Sequence, residues 1–194
     1  NHTYLLDIYS AVDALPQVKK STIGSGVRYD LAMHETGNEK IDAINRKYVE
    51  ELIAKHVSGR LKVAPEHTED HVLSIMRKPS FKLFHKFNDI FHRVDRKYGL
   101  NQQLIPYFIS SHPGCTEIDM ALLACETRDL NFHLEQVQDF TPTPMTVSTE
   151  IYYTGYHPYT LEKVFTPRRS EEKLAQRKYF FWYDKTYRGD IIKS

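Results

Sequence analysis

Short apolar runs alternate with longer helical patterns in this chain, and four of the runs end in a cluster of polar or charged residues. That alternation constrains the fold more than any other feature. Residues 21–26 lead into Val27-Arg28-Tyr29-Asp30, and residues 60–64 into Pro65-Glu66-His67-Thr68. Residues 103–109 lead into Ser110-Ser111-His112-Pro113-Gly114, and residues 134–137 into Gln138-Asp139-Phe140-Thr141. Strands that alternate with helices run parallel, and their carboxyl ends gather on one face, where α/β folds hold their ligands. The four endings therefore predict one shared site rather than four unrelated loops.

The helical patterns fall between the runs. Tyr4, Leu5, Ile8, Val12 and Leu15 recur at helical spacing almost from the first residue. Asn38 starts a second helix with Ile41, Ile44, Tyr48, Leu52 and Ile53 on one face, and Gly59 stops it. After the second strand Thr68 is the expected N-cap, with Glu69 and Asp70 in the first turn where the helix dipole favours anions. Phe84, Phe87, Phe91, Val94 and Tyr98 form the stripe of a long amphipathic helix closed by Gly99. Thr116 and Asp119 make a capping box for the next helix. Residues 3–140 thus read as a helix, three βα units and a further strand. Beyond them Pro142, Pro144, Pro158 and Pro167 predict an irregular, extended wrap, because prolines deny backbone donors to a central strand. Ser170-Glu171-Glu172 then opens a last helix through Tyr183. Two parts follow, 1–140 and 141–194.

With 194 residues, 41% of them apolar and 12% aromatic, the chain can bury a substantial core. A formal net charge of +1 gives no global attraction to nucleic acid or to an acidic membrane, so a charged partner needs a local patch. From residue 163 onward nine Lys or Arg face four Asp or Glu, interleaved with Tyr179, Phe180, Phe181, Trp182, Tyr183 and Tyr187. Such a segment can stack and neutralise single-stranded nucleic acid, or it can bury its aromatics and solvate its charges. No apolar run approaches the roughly 20 residues that span a bilayer, so the chain is read as cytoplasmic and without a membrane partner. Cys115 and Cys125 suit neither a disulfide framework nor CxxC metal spacing and are read as free thiols. The absence of an initiator Met suggests a piece of a longer protein.

Individual residues carry several chemistries. His67 and His71, four apart, could share a metal beside Glu66, but Thr68 stands where a zinc hydrolase helix places Glu, and no metal set is predicted in this chain. Pro113-Gly114 forces a turn that should hold His112 at the site face, as a proton shuttle, a ligand contact or a structural histidine. Arg28 follows Gly24-Ser25-Gly26, where backbone can approach a ligand closely and the guanidinium can clamp a carboxylate. That Gly-x-Gly lacks the rest of a dinucleotide fingerprint.

Taken together, these strings resemble a family. Lys62-Val63-Ala64-Pro65-Glu66-His67 followed by Val72-Leu73-Ser74-Ile75-Met76-Arg77-Lys78 is similar to the fifth-strand region of radical S-adenosylmethionine (SAM) enzymes. Phe108 to Asp119 is similar to their sixth, a hydrophobic run, Pro-Gly and an acidic helix start. The resemblance sharpens to the YgiQ-like radical SAM proteins on Gly99-Leu100-Asn101-Gln102-Gln103-Leu104-Ile105-Pro106-Tyr107 and Gln136-Val137-Gln138-Asp139-Phe140-Thr141-Pro142-Thr143-Pro144-Met145-Thr146.

The resemblance implies an α/β fold, the C-terminal half of a (β/α)6 partial TIM-type barrel with parallel strands, plus a C-terminal extension. The first three strands and the CxxxCxxC loop that holds a [4Fe-4S] cluster would lie upstream, since Cys115 and Cys125 cannot replace that loop. By resemblance, Ser25 to Arg28 would face the ribose and methionine parts of SAM. Lys62, Glu66 and His67 would line the adenosine side, Ser111 and His112 the adenine or the substrate, and Gln138 the same ligand surface. The implied parent enzyme cleaves SAM reductively to a 5'-deoxyadenosyl radical that acts on an unidentified substrate, for which RNA and protein are the candidates, whereas this chain alone is expected to be inactive and without bound cofactor. Its implied partners are the N-terminal half, an electron donor, and a second copy paired through an exposed strand edge. The alternative is a non-catalytic α/β module that binds nucleic acid through its basic aromatic tail.

Overall fold

A computed structural model describes residues 1–135 and 137–193. Its architecture is the α/β class expected, a three-stranded parallel sheet of order β1-β2-β3 that does not close into a barrel. The elements run α1 (Thr3–Asp13), α2 (Tyr29–Ala32), α3 (Glu39–Lys55), β1 (Arg60–Glu66), α4 (Asp70–Ile75), α5 (Lys82–Lys97), β2 (Gln103–Ser110) and α6 (Glu117–Asp129). They continue with β3 (Val137–Asp139), α7 (Val147–Thr154), α8 (Ser170–Arg177), a 3₁₀ turn (Lys178–Phe181) and α9 (Lys185–Lys193). β2 and β3 are in register at Phe108 with Val137 and at Ser110 with Asp139.

The chain forms two compact units that interleave along the sequence, 1–64 with 82–105 and 65–81 with 106–194. Two of the three cuts fall before a proline within a strand, Pro65 and Pro106, a residue that has no amide hydrogen to donate. The first unit buries Leu52, Ile53, Phe84, Phe87 and Phe91 completely. Those residues are the predicted apolar faces of α3 and α5, and full burial of each such side chain is worth about 1.5–3 kcal/mol relative to exposure. The Asn38 side chain caps α3 by accepting from the amides of Lys40 and Ile41. The second unit buries Val72, Leu73, Phe108, Met120, Leu123, Ile151 and Phe180. The predicted capping box of α6 is present, with Thr116 and Asp119 exchanging bonds.

Four expectations change. Residues 21–26 do not form a strand; among the described residues Val27 alone makes a parallel bridge, to Val63, with its amide donating to the Lys62 carbonyl at 2.9 Å. Gly24 and Gly26 supply no side chain and Ser25 only a short polar one to pack on a sheet, so the ladder fails there, and the strand edge on which dimerisation was expected shrinks to one bridge. The fourth strand begins at Val137 rather than Leu134, whose burial accounts for the apolar signal without a ladder; Gln136 lies outside the described residues. Glu69 rather than Thr68 takes the N-cap position of α4, and the Thr68 hydroxyl donates to Glu69 Oε1 at 3.2 Å. The extension is more helical than expected. Thr146 caps α7 and Gly155, at φ 78°, ends it, while α9 follows the helix predicted to finish near Tyr183.

Candidate functional site

Strand ends in the second unit carry unusual backbone. Glu66, the last residue of β1, has φ 71°, and Ser111, directly after β2, has φ 61°. A non-glycine residue held in the left-handed region costs on the order of 1 kcal/mol or more, and such strain gathers where surrounding contacts fix a site. Arg77 and Asn131 share the positive sign but follow helix ends, where left-handed residues are ordinary caps.

Around these turns a polar network closes. The Glu69 amide donates to His67 Nδ1 at 3.1 Å, which leaves the ring proton on Nε2, 3.4 Å from Cys115 Sγ. The Cys115 thiol in turn donates to Gln176 Oε1 at 3.3 Å. Gln176 also accepts from the Ser111 amide at 2.8 Å and donates to the Cys115 carbonyl at 2.7 Å. Thus one side chain of α8, 2% exposed, satisfies two backbone groups of the β2 turn. Ser110 Oγ donates to Asp139 Oδ1 at 2.6 Å, and Arg177 reaches Asp139 Oδ2 at 2.9 Å.

Burial sets the protonation of this network. It pushes the His67 pKa down to about 3, against the pull of Asp119 and helped by His71 and His112. Burial likewise lowers His112 to about 4, opposed by the Pro113 carbonyl. The Cys115 thiol is pushed well up, first by burial and then by the carboxylates of Asp119 and Glu69. Both imidazoles are therefore neutral and the thiol protonated near neutral pH.

The predicted residues separate by unit. In the first, Ser25 and Lys62 are exposed, and Arg28 holds Asp30 through Nε at 2.9 Å and Nη2 at 2.7 Å. In the second, Glu66 pairs with Lys78 at 3.2 Å, both partly exposed. His112 is buried, with Nδ1 donating to the Pro113 carbonyl and Nε2 accepting from Ser148 Oγ, each at 2.8 Å. Ser111 is fully buried and its Oγ has no hydrogen-bond partner. Gln138 is exposed on β3. His67 points into the interior, so it shares no metal with His71, which instead lies 3.3 Å from Asp119. Sequence reasoning missed Gln176, Asp139 and Cys115 as a group, because nothing local in 170–177 says that a glutamine there faces a strand end.

The basic aromatic tail is divided. Tyr179 and Phe180 are buried, Lys178 pairs with Glu117 at 3.0 Å, and Phe181 stacks on Tyr187 at 5.6 Å. A groove of about 770 Å³ runs between α6 and this segment, walled by Ile118, Cys125, Arg128, Trp182, Tyr183 and Arg188. Trp182 Nε1 has no partner.

The donor sets discriminate between the implied cofactors. A cluster held by three thiolates does not fit this chain, which has two cysteines, one buried in the network above and one exposed on α6. The unpartnered Ser111 hydroxyl and the Glu66–Lys78 pair are of the chemical type that receives hydroxyl, ammonium and carboxylate groups such as those of SAM. None of the helices among the described residues is long and apolar enough to cross a membrane.

Residues 135–187 match a domain of unknown function, DUF3362. Over all 194 residues the chain is 63% identical to a UPF0313 protein of Bacteroides thetaiotaomicron, covering 31% of that relative. A UPF0313 protein of Porphyromonas gingivalis is 58% identical over 94% of this chain and 29% of its own length. Another from Methanocella arvoryzae is 42% identical over the whole chain and 31% of its own length. The chain is thus homologous from end to end to somewhat under a third of proteins that carry the UPF0313 name, the YgiQ-like family.

Proposed function

We propose that this chain is the part of a radical SAM enzyme that presents SAM- and substrate-facing strand ends, the [4Fe-4S] cluster being held by cysteines elsewhere in the longer protein. The observation that carries this reading is the pair of left-handed residues, Glu66 and Ser111, at the ends of successive strands. Those are the positions at which the resemblance puts cofactor contacts. Bound together, the cluster and SAM would supply a 5'-deoxyadenosyl radical and methionine after one-electron reduction. The residues of this chain would do the positioning. The Glu66–Lys78 pair would select hydroxyl or ammonium groups, and the neutral His112, locked between Pro113 and Ser148, would hold the β2 turn rather than move protons. The DUF3362 segment contributes by fixing that turn through Gln176.

The test is anaerobic reconstitution of the full-length protein with iron, sulfide, reductant and SAM. A [4Fe-4S] absorption band and release of 5'-deoxyadenosine are expected, with Glu66→Gln raising the SAM requirement while leaving the cluster in place. Cluster-loaded protein that yields no 5'-deoxyadenosine above a protein-free control would overturn the reading.

A second reading, a nucleic-acid-binding module, is favoured by the groove that sets Arg128 and Arg188 beside Trp182 and Tyr183. Salt-sensitive RNA binding that is lost on Lys185→Glu with Arg188→Glu, in a protein without SAM turnover, would select it.

A further inference from the structure

We infer that Glu69, His71 and Asp119 form a binding site for a divalent transition-metal ion, with Zn²⁺ the ion their donor set suits best. One donor atom from each lies within 4.8 Å of the others. Ligands placed about 2.0–2.2 Å from a common ion stand roughly 3–4 Å apart, so small side-chain movements close the set. One imidazole and two carboxylates are the donors that zinc accepts alongside or instead of thiolates, and three protein ligands leave a position for water or a further group.

The site is built, and its parts come from distant stretches of sequence. Asp119 is 6% exposed and is held by the α6 capping box, with Oδ2 accepting from the Thr116 amide and hydroxyl, each at 2.7 Å. Glu69, on extended backbone at the start of α4, is steadied through Oε1 by the Thr68 hydroxyl. Hydrogen-bond donors that orient ligating carboxylates in this way are the usual outer support of metal sites. His71 presents Nε2 3.3 Å from Asp119 Oδ2 while its side chain is 57% exposed, so an ion can reach it from solvent.

An ion pair between His71 and Asp119 would account for two of the three side chains. It gives no role to Glu69, whereas a cation uses all three. The inference is independent of the radical SAM reading, because its ligands are neither cluster cysteines nor the strand-end residues assigned to SAM.

The experiment is calorimetric titration of the EDTA-stripped, desalted chain with ZnCl₂, with circular dichroism to establish that wild type and variants are equally folded. Glu69→Gln and His71→Gln are the informative variants, since both side chains reach solvent and neither belongs to the capping box. One Zn²⁺ per chain is expected with a Kd of about 10 µM or tighter, weakened about tenfold or more by each substitution. Co²⁺ substitution should give a visible absorption spectrum that changes on His71→Gln. Binding weaker than about 1 mM, or stoichiometric binding that neither variant weakens, would overturn the assignment.

Discussion

Replacing Gln176 with leucine directly tests whether α8 holds the β2 turn. The glutamine is 2% exposed and serves the Ser111 amide, the Cys115 carbonyl and the Cys115 thiol. Leucine fills much of the same volume but can neither accept nor donate. Two buried backbone groups then lose their partners at about 1–3 kcal/mol each, and the thiol bond, long and weak, adds little. About 1 kcal/mol returns from the added apolar burial. The net loss is about 3 kcal/mol, which at 1.36 kcal/mol per decade is about a hundredfold in an opening equilibrium. Hydrogen exchange of the Ser111 amide, followed by NMR or by mass spectrometry of the peptide that contains it, reads this opening locally, without assuming that the chain unfolds in one step. The expected result is exchange faster by about two decades. Acceleration of less than about tenfold would mean that water or backbone movement replaces Gln176, and the claim that the DUF3362 segment fixes this turn would fall.

Acid should destabilise the second unit before its carboxylates titrate. His67 and His112 have folded pKa values of about 3 and about 4, below the unfolded value near 6.5, so the unfolded chain binds more protons between those limits. Stability should therefore be full above about pH 6.5 and fall as pH drops toward 4, and urea midpoints for His67→Gln and His112→Asn should show a shallower slope across that window. A wild-type slope no steeper than that of the variants would contradict the burial argument. At Gly114, φ is 87° and an added Cβ would clash with Ile75 Cδ1. Gly114→Ala should cost about 1–3 kcal/mol, and combining it with Ile75→Val should relieve the steric part and leave the backbone strain of about 1 kcal/mol. Strictly additive melting shifts would show that the contact with Ile75 carries none of the cost.

Periodicity made most elements legible. The stripe Phe84, Phe87, Phe91, Val94 could be placed on a buried helix face because spacing alone decides which side chains share a face, and the Thr116–Asp119 box marked its helix start because capping is local chemistry. The segment 21–26 was misread because its apolar residues are interrupted by Gly24 and Gly26, so alternation there did not carry packing. In 141–169 the prolines obscured the Thr146 and Gly155 signals of α7. At the site, the strand endings singled out Glu66, His67, Ser111 and His112, but not their state. That His67 turns inward while His71 meets Asp119 follows from where the chain enters α4, one residue later than Thr68 suggested.

The sequence by itself determined the α/β pattern, the parallel order of its strands and the polar character of their carboxyl ends, since these depend on residue spacing and local caps. Tertiary structure alone decided that Gln176 satisfies the β2 turn, that Asp139 links Ser110 to Arg177, and that Glu69, His71 and Asp119 meet. Those pairings join residues separated by about 30 to 65 positions, beyond the reach of any local pattern; at Ser110, Ser111 and Gln176 burial from water, which makes an unpaired polar group costly, selects the partner.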